Sequence, residues 1–157
     1  MKKENFLNKL REEGKLELVE PSKELRQSYL EKSESNLISA KILLNNNRLE
    51  EAVSLAYYSM YHALTALLLE IGIKCENHTA SIILLKEIFK IDTLDIWSAK
   101  KERVDKQYYT DFQISKEEVI ETIKKAEEFN KKILDFVSKL TNERIKIYRK
   151  RLKEILK

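Results

Sequence analysis

Three groups of residues in this chain carry side chains that could bind or react. Tyr57, Tyr58, Tyr61 and His62 fall in one short run. They offer flat rings on which a nucleobase can stack and an imidazole that can bond it, which is the chemistry of a nucleotide or RNA surface. The same four residues serve equally as amphipathic filler at a core or subunit seam, with His62 as a structural histidine. Arg103, Asp105, Lys106, Tyr108 and Tyr109 form the second group. Arg103 and Tyr108 would face different sides of a regular helix, so this group also reads as a solvated helix end. His78 and Thr79 form the third, at the start of an expected helix, where an anion is attracted or where a plain cap suffices. Other chemistries find no support in the residue types. There is no glycine-rich loop for phosphate, no Cys/His metal spacing and no Gly-flanked serine nucleophile. The paired acids Glu12-Glu13 and Glu127-Glu128 lie on charged helix faces. No metal and no cofactor is expected.

The elements that must position these groups are helices. The chain has 157 residues with only two Gly and one Pro, 36% charged and 43% hydrophobic. So few turn-formers in such a mixture predict long amphipathic helices, an all-α fold with one core. A short helix through Phe6, Leu7 and Leu10 stops at Gly14. Lys15 to Glu20 reads as a connector. Pro21 and Ser22 start a second helix, with Ser22 as N-cap, and the Asn45-Asn46-Asn47 turn ends it. Asn47 with Glu50 has the spacing of a capping box, and Gly72 the position of a C-cap, so a central helix runs between them. Leu49, Val53, Ala56, Met60, Ala63, Leu64, Leu67 and Ile71 fall on one face of it. Leu55, Tyr58, Ala66 and Leu69 fall on another. A helix apolar nearly all round is surrounded, by other helices or by a second subunit. Its length also admits a membrane span, but its tyrosines, His62 and flanking acids fit a buried core helix, and no membrane contact is expected.

Ile73 to Asn77 reads as a loop. A fourth helix runs from about Thr79 to Phe89 and a fifth from about Thr93 towards Tyr108. Ser115 with Glu118 opens a long helix carrying Val119, Ile123, Ala126, Phe129, Ile133, Phe136 and Leu140. After Leu140 the apolar phase slips to Ile145, Tyr148, Leu152 and Ile155, which predicts a bend or a new cap at Thr141-Asn142. The expected organisation is 1–21 as short helix and connector, 22–140 as helical bundle, and 141–157 as a basic C-terminal helix.

The net charge is +4, yet Lys139 to Lys157 holds eight Lys/Arg against two Glu, so the remainder is slightly acidic. The basic character belongs to Arg144, Lys146, Arg149, Lys150, Arg151 and Lys153 and their neighbours. Such a helix can lie on nucleic acid, on an anionic membrane or on an acidic partner. Its removal is expected to leave the bundle folded. A single cysteine, Cys75, excludes an internal disulfide, and the charged start (Lys2, Lys3, Glu4) is no signal peptide, so a reduced, cytoplasmic setting is expected.

The run Ala-Tyr-Tyr-Ser-Met-Tyr-His-Ala (56–63), then Leu67-Leu68-Leu69-Glu70-Ile71-Gly72, then His78, resembles the HEPN superfamily, named for higher eukaryotes and prokaryotes nucleotide-binding. Glu13-Gly14-Lys15-Leu16 with Val19-Glu20-Pro21-Ser22, and Arg103 followed by Tyr108-Tyr109 and Asp111-Phe112, resemble the same subgroup of small prokaryotic proteins. The resemblance covers about residues 5 to 138 and leaves out the C-terminal tail. It implies an antiparallel bundle of four or five helices, usually a homodimer, often a toxin or accessory subunit beside a minimal nucleotidyltransferase. Active ribonucleases of the family carry an Arg followed shortly by a His and cut RNA without metal. Arg103 matches the Arg, but Tyr108, Tyr109 and Thr110 stand where the His would be. With a pKa of about 10, Tyr is a poor general base near neutrality. The expectation is therefore a nucleotide- or RNA-binding subunit, possessing weak or no cleavage, with Arg103, Tyr108 and Tyr109 at its edge, His78 beside them, and Tyr57, Tyr58 and His62 in support. A ribonuclease with an altered base and a helical adaptor that binds nucleic acid through its tail are the alternatives.

Overall fold

The computed structural model describes residues 2–108 and 113–156, without the side chains of 105–108. Among them are seven helices and one small sheet: α1 (Lys2–Glu12), β1 (Leu16–Leu18), α2 (Lys23–Asn45), α3 (Leu49–Ile71), β2 (Ile73–Cys75), α4 (His78–Phe89), α5 (Leu94–Tyr108), α6 (Lys116–Ser138) and α7 (Asn142–Ile155). The all-α bundle expected from composition is the fold.

The helix ends follow local chemistry. Ser22 caps α2 by accepting from the Leu25 N–H at 3.0 Å. Ser115 and Glu118 form the full capping box of α6, and Thr141 caps α7 by accepting from the Arg144 N–H. Gly72 closes α3 in the left-handed conformation, φ 86°. One expected cap is corrected. Asn47 does not cap α3; it sits at φ 58° in the turn that ends α2, a conformation asparagine tolerates. Arg48 takes the N-cap position without a side-chain capping bond, its guanidinium pairing with Glu51 instead, while Glu50 and Glu51 place negative charge at the positive helix end.

The segments expected as connector and loop are strands. β1 and β2 pair antiparallel, Leu16 opposite Cys75 and Leu18 opposite Ile73. Strands of three residues are too short for alternation to be read in sequence. The pairing continues as the Val19 N–H donates to the Gly72 carbonyl at 2.8 Å and the Ser22 N–H to Leu69 at 3.0 Å. This strap ties the N-terminal segment to the end of α3.

α3 is the axis of the bundle. Tyr57, Met60, Leu64, Leu67 and Ile71 are fully buried, as are Ala52, Val53 and Ala56. By length and composition α3 could cross a membrane, but 67% of its most apolar stretch is buried inside the bundle. α2, α5 and α6 lie against it, and α4 and α7 also touch it, α4 through His78 at Tyr57 and α7 through Arg149 at its C-terminal end. Each fully buried Leu or Met contributes on the order of 1.5–3 kcal/mol.

α7 folds back onto the bundle and is not a detached tail. Tyr148 and Leu152 are buried, and the Tyr148 ring meets Phe89 at 4.9 Å and Phe136 at 5.7 Å between centroids. Arg149 Nη1 donates to the carbonyls of Val19, Ile71 and Gly72 at 2.8–3.0 Å, and Arg151 Nη1 donates to Ile88 at 2.6 Å. Both arginines therefore neutralise carbonyl ends of α3 and α4. Of the six tail cations, Arg144, Lys146, Lys150 and Lys153 face outward.

Candidate functional site

Three helices bring the chemistry-bearing residues together. α3 presents Tyr57, Tyr58 and Tyr61, which helical spacing gathers on neighbouring faces. Asn77 caps α4, its Oδ1 accepting from the Ala80 N–H at 2.9 Å, and so fixes His78 at the first helical position. α5 supplies Lys100 and Arg103.

His78 lies among the tyrosines. Its Nδ1 is 2.8 Å from the Tyr57 hydroxyl, and its ring stacks on Tyr61 with centroids 3.8 Å apart and planes 19° apart. Tyr58 meets it edge-on at 6.2 Å. The Arg103 guanidinium stands 4.9 Å from the Tyr58 ring centre and 5.7 Å from that of Tyr57, within cation–π range of both. The result is an open groove of about 450 Å³ lined by Tyr58, Glu76, His78, Thr79, Lys100 and Arg103.

The protonation states follow from burial and from these cations. Burial first, then Arg103, Lys100 and His62, pushes His78 down to about 4, so its imidazole is neutral at pH 7. Burial raises Tyr57 well above the usual phenol range, with Tyr61 adding to it, so the phenol keeps its proton. A buried phenol needs an acceptor, and Nδ1 of the neutral imidazole is the one at hand, which leaves the His78 proton on Nε2. Tyr61 is raised by burial as well.

The arrangement suits binding better than proton transfer. Two cations flank the start of a helix, whose N–H groups favour an anion. Tyr58 is partly exposed beside them. A histidine held down near 4 is a weak base.

The structure thus unites six sequence candidates, Tyr57, Tyr58, Tyr61, His78, Thr79 and Arg103. His62 faces elsewhere. Its Nδ1–H donates to Asn36 Oδ1 at 2.7 Å, and its ring lies between Tyr58 and Tyr29 at 6.1 and 5.8 Å. Burial and then Lys32 lower its pKa. His62 therefore ties α3 to α2. The side chains of Asp105, Lys106 and Tyr108, and the whole of Tyr109, lie outside the described residues. Lys100 and Glu76 join the groove without having been read as candidates; Lys100 was findable one helical turn before Arg103. Among the described residues no group of three or more His, Cys, Asp or Glu is placed to hold a metal ion.

Comparison with known proteins adds the family context. A family model described as HEPN domain matches residues 26–140. UPF0332 protein PH1297 of Pyrococcus horikoshii is 43% identical over 56 residues, covering 36% of this chain and 39% of that protein. "Putative toxin MJ0605" of Methanocaldococcus jannaschii is 39% identical over 56 residues, covering 36% of this chain and 42% of that protein. The matched segment therefore spans about two fifths of each of these curated relatives.

Proposed function

The chain belongs to the HEPN domain family, and from that premise we propose that it binds single-stranded RNA or a nucleotide in the Arg103 groove without cutting it. The observation that carries this reading is the Arg103 guanidinium held over Tyr58 beside a neutral His78 and the α4 N-terminus. A phosphate meets Arg103, Lys100 and the helix end, and a base stacks on the exposed part of Tyr58. Cleavage would need a group able to take a proton near pH 7. Tyr57 holds its proton too tightly and His78 too weakly to serve.

The likeness to a protein named as a toxin supports a place in a toxin–antitoxin pair; a minimal nucleotidyltransferase is the partner that the family resemblance implies. The second apolar face of α3 supports a homodimer, since Leu55 and Leu69 stay partly exposed in the single chain.

The test is incubation of the purified chain with fluorescent single-stranded RNA in chelator. The expected result is retention of intact RNA, weakened about ten- to a hundredfold by Arg103→Ala, the worth of one charge-assisted contact. Robust cleavage by wild type that disappears in Arg103→Ala would establish the ribonuclease reading instead.

A further inference from the structure

Helix α4 joins two grooves that carry free cations. Its first turn, with Thr79, opens into the Arg103 groove. Its C-cap, Lys90, leads into Ile91, which lines a second groove of about 440 Å³ together with Lys132, Phe136 and Arg144. The carboxylates of that second groove are engaged. Asp135 holds Lys139 at 3.0 Å, and Asp92 Oδ1 accepts from the Leu94 N–H at 2.9 Å. Lys132 and Arg144 are exposed and form no ion pair among the described residues.

Between the two grooves α4 shows solvent one line of side chains: Thr79, Ile83, Lys86 and Lys90. Their spacing sets them one above the other along the helix. Lys86 and Lys90 are exposed, and neither is in an ion pair among the described residues. The acid beside them, Glu87, is taken by Lys3 at 3.1 Å. On the other side Phe89 packs against Phe136 and Tyr148, which brings α6 and α7 alongside. The negative end of α4 is offset too, because Arg151 Nη1 donates to the Ile88 carbonyl at 2.6 Å. At the Arg103 end, Glu76 lies 3.5 Å from Lys74.

Lys86 lies about 10 Å and Lys90 about 16 Å along the axis from Thr79. A stacked strand advances about 3.4 Å per nucleotide, so a strand that enters at Arg103 would pass the two lysines at about its third and fifth nucleotides. Resting on the RNA reading of the Arg103 groove, we propose that its ligand is an RNA strand of about five or more nucleotides, not a single nucleotide. Its phosphates run down α4 over Lys86 and Lys90 towards Lys132 and Arg144. Lipid is disfavoured on this line, since its one apolar side chain, Ile83, is half-buried and offers nothing to insert.

The test uses the full chain and labelled single-stranded RNAs of two and nine nucleotides, followed by fluorescence anisotropy across a salt series. The longer RNA is expected to bind more tightly. Lys86→Gln/Lys90→Gln should weaken the longer RNA about tenfold and flatten its logarithmic salt slope by about 1.4, the share of two single-strand phosphates. The shorter RNA and the circular dichroism should not change. Arg103→Ala should weaken both RNAs. Equal affinity for the two lengths, or an unchanged affinity and slope for the longer RNA in the lysine variant, would overturn the extension while leaving the groove reading in place. Arg103→Ala without effect at either length would sink the groove reading and the extension with it. Retention on phosphatidylserine vesicles that the lysine variant abolishes, with RNA binding unchanged, would assign the line to lipid and overturn the proposal.

Discussion

His78 reports on its surroundings through its proton. Its pKa falls from the usual 6.5 to about 4 in the folded chain, so between those values the unfolded state binds more protons than the native one. Stability must then rise with pH across that window, be fully present above about 6.5, and be lost as pH falls towards 4. His62, also lowered, acts in the same direction. Urea midpoints at pH 7 and pH 5 should differ more in wild type than in His78→Gln. Equal differences would place His78 in a more solvated setting. RNA binding should be flat between pH 6 and 8, since His78 stays neutral there. The residue types that make this site were legible from sequence, because Arg, His and clustered Tyr are the types that carry such chemistry. Their partnership was not. The Tyr57–His78 bond depends on how α4 leaves the strap after Gly72, and Arg103 reaches Tyr58 only through the docking of α5 on α3. Neither is a local property.

At the scale of elements, α7 carries the clearest consequence. Leu152 is completely buried, so Leu152→Ala should cost about 2–5 kcal/mol in chemical denaturation. Arg149→Ala removes the donor shared by the Ile71 and Gly72 carbonyls at the end of α3 and the Val19 carbonyl of the strap, and should cost about 1–3 kcal/mol. Deleting Asn142 to Lys157 should therefore unfold or strongly destabilise the bundle. A truncated chain with the wild-type midpoint would show that α7 is dispensable after all. Gly72→Ala should also destabilise, because φ is 86° and an added methyl would meet Arg149 and the Val19 carbonyl. Helix starts at Ser22, Ser115 and Thr141 and the stop at Gly72 were readable, since each is set by one side chain and the next few backbone groups. The slip of apolar phase after Leu140 gave the break before α7. The inward turn of Arg149 and Arg151 was hidden, because charge alone suggests solvent and only the packed carbonyls of α3 and α4 draw them in. The three-residue strands were hidden because their pairing partners lie at opposite ends of two long helices.

Over the whole molecule, outward cations gather on α7 and in the Arg103 groove. Leu25, Ile38 and Ile42 of α2 remain exposed, and Leu55 and Leu69 of α3 are partly so. Sedimentation at micromolar concentration should return a dimer; a monomer would leave these residues as ordinary exposed surface. The central claim is that Arg103 binds a nucleic-acid phosphate, and counterion release gives it a direct measure. Affinity for a short single-stranded RNA, followed by fluorescence anisotropy across a salt series, should fall steeply for wild type. Arg103→Ala should bind more weakly and flatten the logarithmic slope by about 0.7, the share of one single-strand phosphate contact. An Arg103→Ala protein with wild-type affinity and an unchanged slope would contradict the account.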